Sequence, residues 1–177
     1  MIATLIDCET TSLIKNRTIK IDKQPHVVEF YGCLHDFEKR TTIGECHHII
    51  KPPIKMPEKS SKITGWTDEK LADKQPFATV AADIKAWLEA APIVIAHNAS
   101  FDQEVLDIEF ERLGQKIAWP KIICSVEASI HLKGHRLDLM GLHELLFADK
   151  FQHAHTASAD VAALTRCCAE LYSRGEL

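Results

Sequence analysis

The sequence predicts one α/β domain in which helices flank a mixed β-sheet. Short apolar runs, typical of buried strands, alternate along the chain with segments in which apolar residues recur every three or four positions, as in amphipathic helices. Of the 177 residues, 46% are hydrophobic and only 7 are Gly and 7 are Pro, which excludes a largely disordered chain. We therefore expect a single domain over residues 1–177 with a sizeable core.

The N-terminal third is predicted to be rich in strands. Its apolar and β-branched runs are separated by polar residues, and a pair of prolines closes the last run. In chain order we expect a buried strand at 2–6, a polar loop at 14–26, a strand at 26–36, a turn at 37–40, and a strand from 40 that ends before Pro52-Pro53. The two later strands should pair as an antiparallel hairpin.

The rest of the chain is predicted to be mainly helical, with two further buried strands. The helical segments show three- and four-residue apolar steps, and prolines and glycines punctuate them. In chain order we expect a helix at 76–91 before Pro92, a strand at 93–96, a helix from about 101 to 113 with Ser100 as N-cap, a short strand and helix within 120–132, a helix at 137–147 with Leu137, Met140, Leu145 and Leu146 inward, and a last helix from about 158 to 173 with Asp160, Ala163, Leu164, Cys167, Cys168 and Leu171 on one face.

Two acidic residues follow the first apolar run. Asp7 and Glu9 are two positions apart on a strand, so their side chains point to the same face and can share one cation, while Cys8 points the other way. Burying these carboxylates would be very costly unless a divalent ion neutralised them, and hard oxygen ligands suit Mg²⁺ or Mn²⁺. The sequence therefore predicts a metal site at this strand.

Three more candidates complete an ordered set along the chain. Asp102 stands at the start of a predicted helix, Asp160 lies near the first turn of the last helix, and His155 precedes that helix in a predicted loop. Four carboxylates and one histidine in this order indicate a nuclease.

The motifs Asp7-x-Glu9-Thr10-Thr11, His97-Asn98-x-x-Phe101-Asp102 and His155-x4-Asp160 resemble those of the DnaQ-like, or DEDD, 3′→5′ exonucleases, in their histidine-type branch. The resemblance runs from Ile2 to about Leu171. It implies a ribonuclease H-like fold and the release of nucleoside 5′-monophosphates from single-stranded or frayed 3′ ends, with DNA as the favoured substrate and RNA as the alternative.

The same resemblance implies two Mg²⁺ ions, for which Mn²⁺ can substitute. Asp7 would bridge both ions, Glu9 and Asp160 would share the ion on the nucleophile side, and Asp102 would act mainly through water. His155 would take the proton from the attacking water, since an unperturbed histidine has a pKa of about 6.5. His153, two residues upstream, is the rival base but matches no motif position.

Contacts with the substrate are implied for Thr10, Thr11, Thr64, Trp66, Asn98 and Phe101. The two threonines of the first motif would hold the terminal sugar. The segment 62–66 is similar to the one that contacts the 3′ end in such enzymes. Phe101 can stack on a base or belong to the core, and Trp66, where the family usually has a smaller aliphatic residue, can wedge between terminal bases or cover the core.

The charge balance limits how the chain can hold nucleic acid. A net charge of −4 and a pI near 6.2 are unusual for a protein that binds through basic surface alone, so we expect weak, distributive binding assisted by metal ions. Lysines cluster at 51–62, just before Thr64, and this cluster is the best candidate for contacts with phosphates.

Location and partners are predicted only coarsely. Six cysteines without a C-x-x-C pair, no signal peptide and no long apolar segment favour a cytoplasmic protein with reduced thiols and no membrane partner. The usual ligand spacing for structural zinc is missing. Two alternatives to an independent exonuclease stay open: a proofreading or maturation subunit that depends on a polymerase or another nucleic-acid enzyme, and an inactive nucleic-acid binding module.

Overall fold

The computed structural model describes residues 1–152 and 156–177. Five strands form one sheet in the order β3-β2-β1-β4-β5. The strands are β1 (Ile2–Thr10), β2 (Val27–Asp36), β3 (Thr41–Ile49), β4 (Ile93–Ala96) and β5 (Lys121–Cys124). The helices are α1 (Glu58–Thr64), α2 (Asp68–Leu71), α3 (Phe77–Leu88), α4 (Ala99–Arg112), α5 (Ser125–Ser129), α6 (Leu139–Phe147) and α7 (Ala157–Ser173), with short 3₁₀ turns at Ile21–Lys23 and Ile130–Leu132.

The sheet is mixed, as predicted. Strand β1 pairs antiparallel with β2 and parallel with β4, β2 pairs antiparallel with β3, and β4 pairs parallel with β5. The predicted hairpin of β2 and β3 is confirmed. Strand β1 is longer than the predicted run 2–6, because its pairing with β2 continues through the acids, with Asp7 opposite Tyr31 and Glu9 opposite Glu29.

Helices cover both faces of the sheet. On one face α3 and α4 bury Ile84, Leu106 and Phe110 against even-numbered residues of β1 such as Ile6. On the other face α7 buries Val161, Leu164 and Cys168 against the odd-numbered Ala3 and Leu5. Since side chains alternate along a strand, Asp7 and Glu9 belong to the face that α7 covers. The sheet therefore directs both acids toward the helix that carries Asp160.

The entry into α4 differs from the prediction. The helix begins at Ala99 and its N-cap is Asn98, with φ 66° and ψ 49°, so Ser100 lies inside the first turn and the prediction of a Ser100 N-cap is wrong. Asparagine tolerates this left-handed conformation better than most residues, which lets the chain turn directly from β4 into the helix. The helix consequently starts about two residues earlier, and Asp102 falls in its first turn.

The inward face of α6 also differs from the prediction. Leu142 and His143 are its buried residues, whereas Leu145 is 37% exposed. The ring of His143 packs against Phe147 and Phe151. A histidine therefore lies in the buried face of α6, where the apolar pattern predicted leucines. The predicted inward stripe of α7 is confirmed, with Leu164, Cys167 and Cys168 among its buried residues.

A buried polar network anchors α4 to the start of β2. Glu109 accepts a hydrogen bond from the Val27 amide at 2.9 Å and contacts His26 Nδ1 at 3.3 Å, and its second oxygen lies 3.0 Å from Arg112. Arg112 in turn donates to the backbone carbonyls of residues 21, 24 and 25.

Within the described parts of the chain, no helix is long and apolar enough to span a membrane.

Replacing Glu109 with Ala should lower the free energy of unfolding by about 3–5 kcal/mol, because Arg112 would keep a poorly compensated, largely buried charge. Glu111→Ala is the matched control on the same helix, since Glu111 is exposed and pairs with Arg17 only at 3.7 Å. That variant should lose less than about 1 kcal/mol. Urea unfolding followed by circular dichroism measures both, and equal losses would contradict the structural role of the network.

Candidate active site

Three carboxylates from opposite ends of the chain meet beside the sheet. Asp7 and Glu9 project from β1, Asp160 projects from the first turn of α7, and one oxygen of each lies within 4.8 Å of the others. All three are half-buried. This is an all-oxygen ligand set with the spacing that a hard divalent cation can bridge.

Asp102 lies outside this group of three but close enough to influence it. The residue is 2% exposed in the first turn of α4, and its charge is the largest contribution from a neighbouring acid to the raised pKa of Asp7. Among the described residues, no hydrogen-bond partner is found for the buried Oδ1 of Asp102. A buried carboxylate oxygen without a partner is unfavourable in a metal-free protein, so it fits a site that holds a cation and its waters.

Burial and mutual repulsion shift the pKa values of these acids upward. Desolvation raises the pKa of Asp7 well above its ordinary value, and Asp102, Asp160 and Glu9 add to the shift. The same causes raise the pKa of Glu9 to about 8, and desolvation raises the pKa of Asp102 to about 7. Without a cation the cluster therefore retains protons near neutral pH, and divalent-cation binding must release them.

A cavity of about 640 Å³ opens next to Glu9. One wall is α1, which contributes Ser60, Ile63 and Thr64, and Phe101 of α4 lines it as well. The segment that follows the acids of β1 completes the lining with Thr10, Thr11, Ser12, Leu13, Ile14 and Lys15. Glu9 is the member of the carboxylate group that lines this cavity, so the group adjoins a space large enough for a nucleotide-sized ligand.

The structure distributes the predicted substrate residues unevenly around this site. Thr10, Thr11, Thr64 and Phe101 line the cavity beside Glu9. A neighbouring open cavity of about 460 Å³, which shares Leu13, Ile14, Lys15 and Phe101 with the first, has Asn98 in its lining. The two cavities together make a groove that leads away from the carboxylates.

Trp66 lines neither of these two cavities. Its ring packs against Val28, Met56 and Leu71, and its indole Nε1 donates a hydrogen bond of 2.7 Å to Glu29 Oε2. The indole therefore packs between α1 and β2, and it does not face the cavity beside Glu9.

Two apolar side chains at the cavity did not stand out in the sequence. Leu13 is 77% exposed and Ile63 is 50% exposed, although each lines the cavity beside the carboxylates. Leu13 follows the first motif within an otherwise polar stretch, which was a usable signal. Ile63 lies in a helix of only seven residues, too short for its apolar pattern to show which residue would face a ligand.

The lysine cluster at 51–62 divides between structural and open positions. Lys59 lines the cavity, as the phosphate-contact prediction requires. Lys51 donates to the Ala72 carbonyl at 2.8 Å, and Lys62 pairs with Glu58 at 2.6 Å.

The predicted base His155 and its rival His153 lie outside the described residues.

Comparison with known proteins gives one family and consistent neighbours. The exonuclease family model RNase T matches residues 4–167. DNA polymerase III subunit epsilon of Haemophilus influenzae is 30% identical over 166 residues, which cover 90% of this chain and 63% of that protein. The chain therefore spans less than two thirds of the length of this relative.

Solved structures share the fold at low sequence identity. Exonuclease X in complex with 5′ overhanging duplex DNA matches with a TM-score of 0.73 and 20% identity, over 98% of this chain and 93% of that one. The nuclease domain of 3′hExo, a DEDDh family member, bound to rAMP, matches with a TM-score of 0.79 and 15% identity, over 98% and 92%. The predicted ribonuclease H-like fold is confirmed.

The raised pKa values predict how stability depends on pH. The pKa of Glu9 rises from 4.5 to about 8 on folding, so between these values the folded protein binds more protons than the unfolded chain. The metal-free protein should lose stability as the pH rises through this window. Added Mg²⁺ should therefore raise the melting temperature more at pH 8 than at pH 5.

Differential scanning fluorimetry in EDTA and in Mg²⁺ measures this dependence. Asp7→Asn should flatten it, because one member of the acidic cluster no longer titrates. Asp22→Asn, at an exposed acid of the 3₁₀ turn 21–23, is the control and should follow the wild type. A metal effect that is equal at both pH values would contradict the electrostatic description of the site.

Proposed function

Because this chain belongs to the RNase T exonuclease family, we propose that it is a metal-dependent 3′→5′ exonuclease that releases nucleoside 5′-monophosphates from single-stranded or frayed 3′ ends. The observation that carries the proposal is the group formed by Asp7, Glu9 and Asp160 at the end of the cavity beside Glu9. It combines cation ligands and a nucleotide-sized pocket in one place.

The family is one of divalent-metal enzymes, and we propose Mg²⁺ as the physiological ion, in a pair, with Mn²⁺ as a substitute. Asp7, Glu9 and Asp160 would hold the ions directly, and Asp102 would position their waters from α4. When bound, such a pair lowers the pKa of a water nucleophile and stabilises the leaving 3′ oxygen.

His155 is the proposed general base. The support is its position five residues before Asp160 in the third motif, with four residues between them, which is the spacing of the histidine-type branch. A histidine with a pKa of about 6.5 can accept a proton from water at neutral pH and pass it to solvent. The loop position expected from the sequence would bring it to the cluster without making it a metal ligand.

The 3′-terminal nucleotide would occupy the cavity beside Glu9. Leu13 and Ile63 offer apolar surface to either side of a base without reading its edges, which suits a sequence-tolerant enzyme. Lys59 lies in the first turn of α1 and lines the cavity, so its ammonium group can contact a backbone phosphate. Phe101 lines both cavities, so it can contact the terminal nucleotide and the one before it.

We favour DNA as the substrate, because a relative that covers 90% of this chain is DNA polymerase III subunit epsilon. RNA is the alternative, since the nuclease domain of 3′hExo, which shares the fold, binds rAMP. One contact to a 2′-hydroxyl suffices to distinguish the two nucleic acids.

A second candidate is a subunit that works with a polymerase or another nucleic-acid enzyme. It is favoured by the name of the epsilon relative, which is a subunit of DNA polymerase III. The discriminating measurement is the rate at which the isolated chain degrades an oligonucleotide, compared with the rate after addition of candidate partners.

The central test uses 5′-labelled single-stranded DNA, duplex DNA and RNA of matched sequence, each with Mg²⁺, Mn²⁺ or EDTA. The wild type should shorten single-stranded DNA one nucleotide at a time from the 3′ end, and only with a divalent ion. Asp7→Asn should abolish cleavage while keeping the fold, and Asp22→Asn should cleave like the wild type. Magnesium-dependent cleavage by purified Asp7→Asn would refute the proposed metal site.

The base assignment has its own test. His155→Ala should lower kcat by about 10²- to 10⁴-fold while KM changes little, because a general base acts on the chemical step. His153→Ala is the matched control two residues upstream and should keep most of the activity. If the two variants behave in the opposite way, the third motif is misaligned and His153 is the base.

A further inference from the structure

Glu29 is a buried carboxylate that joins three parts of the fold. The residue is 2% exposed on β2. Its Oε2 accepts the hydrogen bond of 2.7 Å from the Trp66 indole, and its Oε1 lies 2.8 Å from Nε2 of His47 on β3, which donates to it. Each oxygen thus has a protein donor, so this carboxylate is committed to the protein and is not free to bind a cation.

The position of Glu29 links it to the candidate active site. In the antiparallel register of β1 and β2, Glu29 is the residue directly opposite Glu9. A side chain that is hydrogen-bonded to Glu29 is therefore fixed relative to β1, the strand that carries Asp7 and Glu9. Through Trp66, it holds the segment that follows α1.

Helix α1 needs such an attachment. It has only seven residues, and helices of this length are not stable without tertiary contacts. At its start it is attached by Ser60, whose hydroxyl donates to the Thr11 carbonyl at 2.6 Å. At its end Gly65 has φ 74°, a left-handed cap that turns the chain sharply into Trp66, and the Trp66 amide donates to Thr64 Oγ1 at 3.2 Å.

We infer that Trp66 is a positioning residue: its indole N–H, held by Glu29, fixes the C-terminal end of α1 as the wall of the 3′-end pocket. This inference rests on the proposed function and assigns to Trp66 a role behind the pocket wall instead of a wedge between terminal bases. The wall residues Ile63 and Thr64 lie three and two positions before Trp66, separated from it by the Gly65 cap, so loss of the N–H bond should let them move away from the substrate.

Three single substitutions separate the bond from the packing. Trp66→Phe keeps an aromatic ring against Val28, Met56 and Leu71 but removes the donor. Glu29→Gln keeps an acceptor oxygen for the indole while removing the charge. Trp119→Phe is the matched control, because Trp119 Nε1 donates to Asp107 at 2.8 Å in an equivalent indole–carboxylate bond away from this pocket.

The first readout is steady-state cleavage of single-stranded DNA in Mg²⁺. Trp66→Phe should raise KM by about tenfold with kcat changed less than about twofold, since a lost hydrogen bond to a charged group mispositions the wall but not the carboxylates. Glu29→Gln should raise KM less than Trp66→Phe does, because one acceptor oxygen remains, and Trp119→Phe should keep KM near that of the wild type. An unchanged KM in Trp66→Phe, or an equal rise in Trp119→Phe, would overturn the inference.

The second readout does not depend on activity. Hydrogen–deuterium exchange of the α1 amides should become faster in Trp66→Phe and stay as in the wild type in Trp119→Phe. If the wild type proves inactive on every nucleic acid, the proposed function fails, and this exchange measurement still decides whether Trp66 holds α1. Identical α1 exchange in the wild type and Trp66→Phe would overturn the inference in either case.

Discussion

The concentration of negative charge at the end of β1 is the constraint on which the rest of the site depends. Desolvation and the charges of Asp102, Asp160 and Glu9 raise the pKa of Asp7, and desolvation with the charges of Asp160, Glu29 and Asp102 raises the pKa of Glu9. Ionised carboxylates in such surroundings destabilise the fold unless a cation compensates them. The family is one of divalent-metal enzymes, and a cation held by these acids would compensate their charge and attract phosphate.

The positions of the acids follow from ordinary strand geometry. Strand β1 lies in the middle of the sheet, paired with β2 along its whole length and with β4 at Thr4 and Leu5, so its backbone is fixed. Alternation then sends Asp7 and Glu9 to the α7 side and Cys8 to the α4 side. Asp102 comes from α4, on the opposite face, which explains why it stands apart from the group of three while its charge still reaches Asp7.

The substrate side of the site is held less rigidly and by different means. Its wall is the short helix α1, attached to the sheet by single hydrogen bonds at Ser60 and Trp66. The lining of the cavity is mainly apolar side chains and hydroxyls, with Lys15 and Lys59 as its cationic residues, in keeping with a net charge of −4. Under the proposed function, the metal ions would supply most of the attraction for nucleic acid, so substrate binding and metal binding should be coupled.

Much of the fold and of the metal site follows from the sequence alone, because both depend on short-range periodicity. The two-residue spacing of Asp7 and Glu9 determines that they share a face, and the three- and four-residue steps of the last helix place Asp160 above its buried stripe. The ends of the helices are harder to predict from the sequence. Ser100 has the side chain of a typical N-cap, yet Asn98 is the N-cap of α4 because the turn out of β4 needs a positive φ.

Only the tertiary structure decided which residues meet across long separations. Glu29 and Trp66 are 37 positions apart, and neither has a local pattern that predicts an indole–carboxylate bond. The same holds for Ser60 and Thr11, and for Leu13 and Ile63 on the rim of one cavity. Periodicity specifies the face on which a side chain lies, but the partner it meets depends on how separate elements pack, and that information is spread over the whole chain.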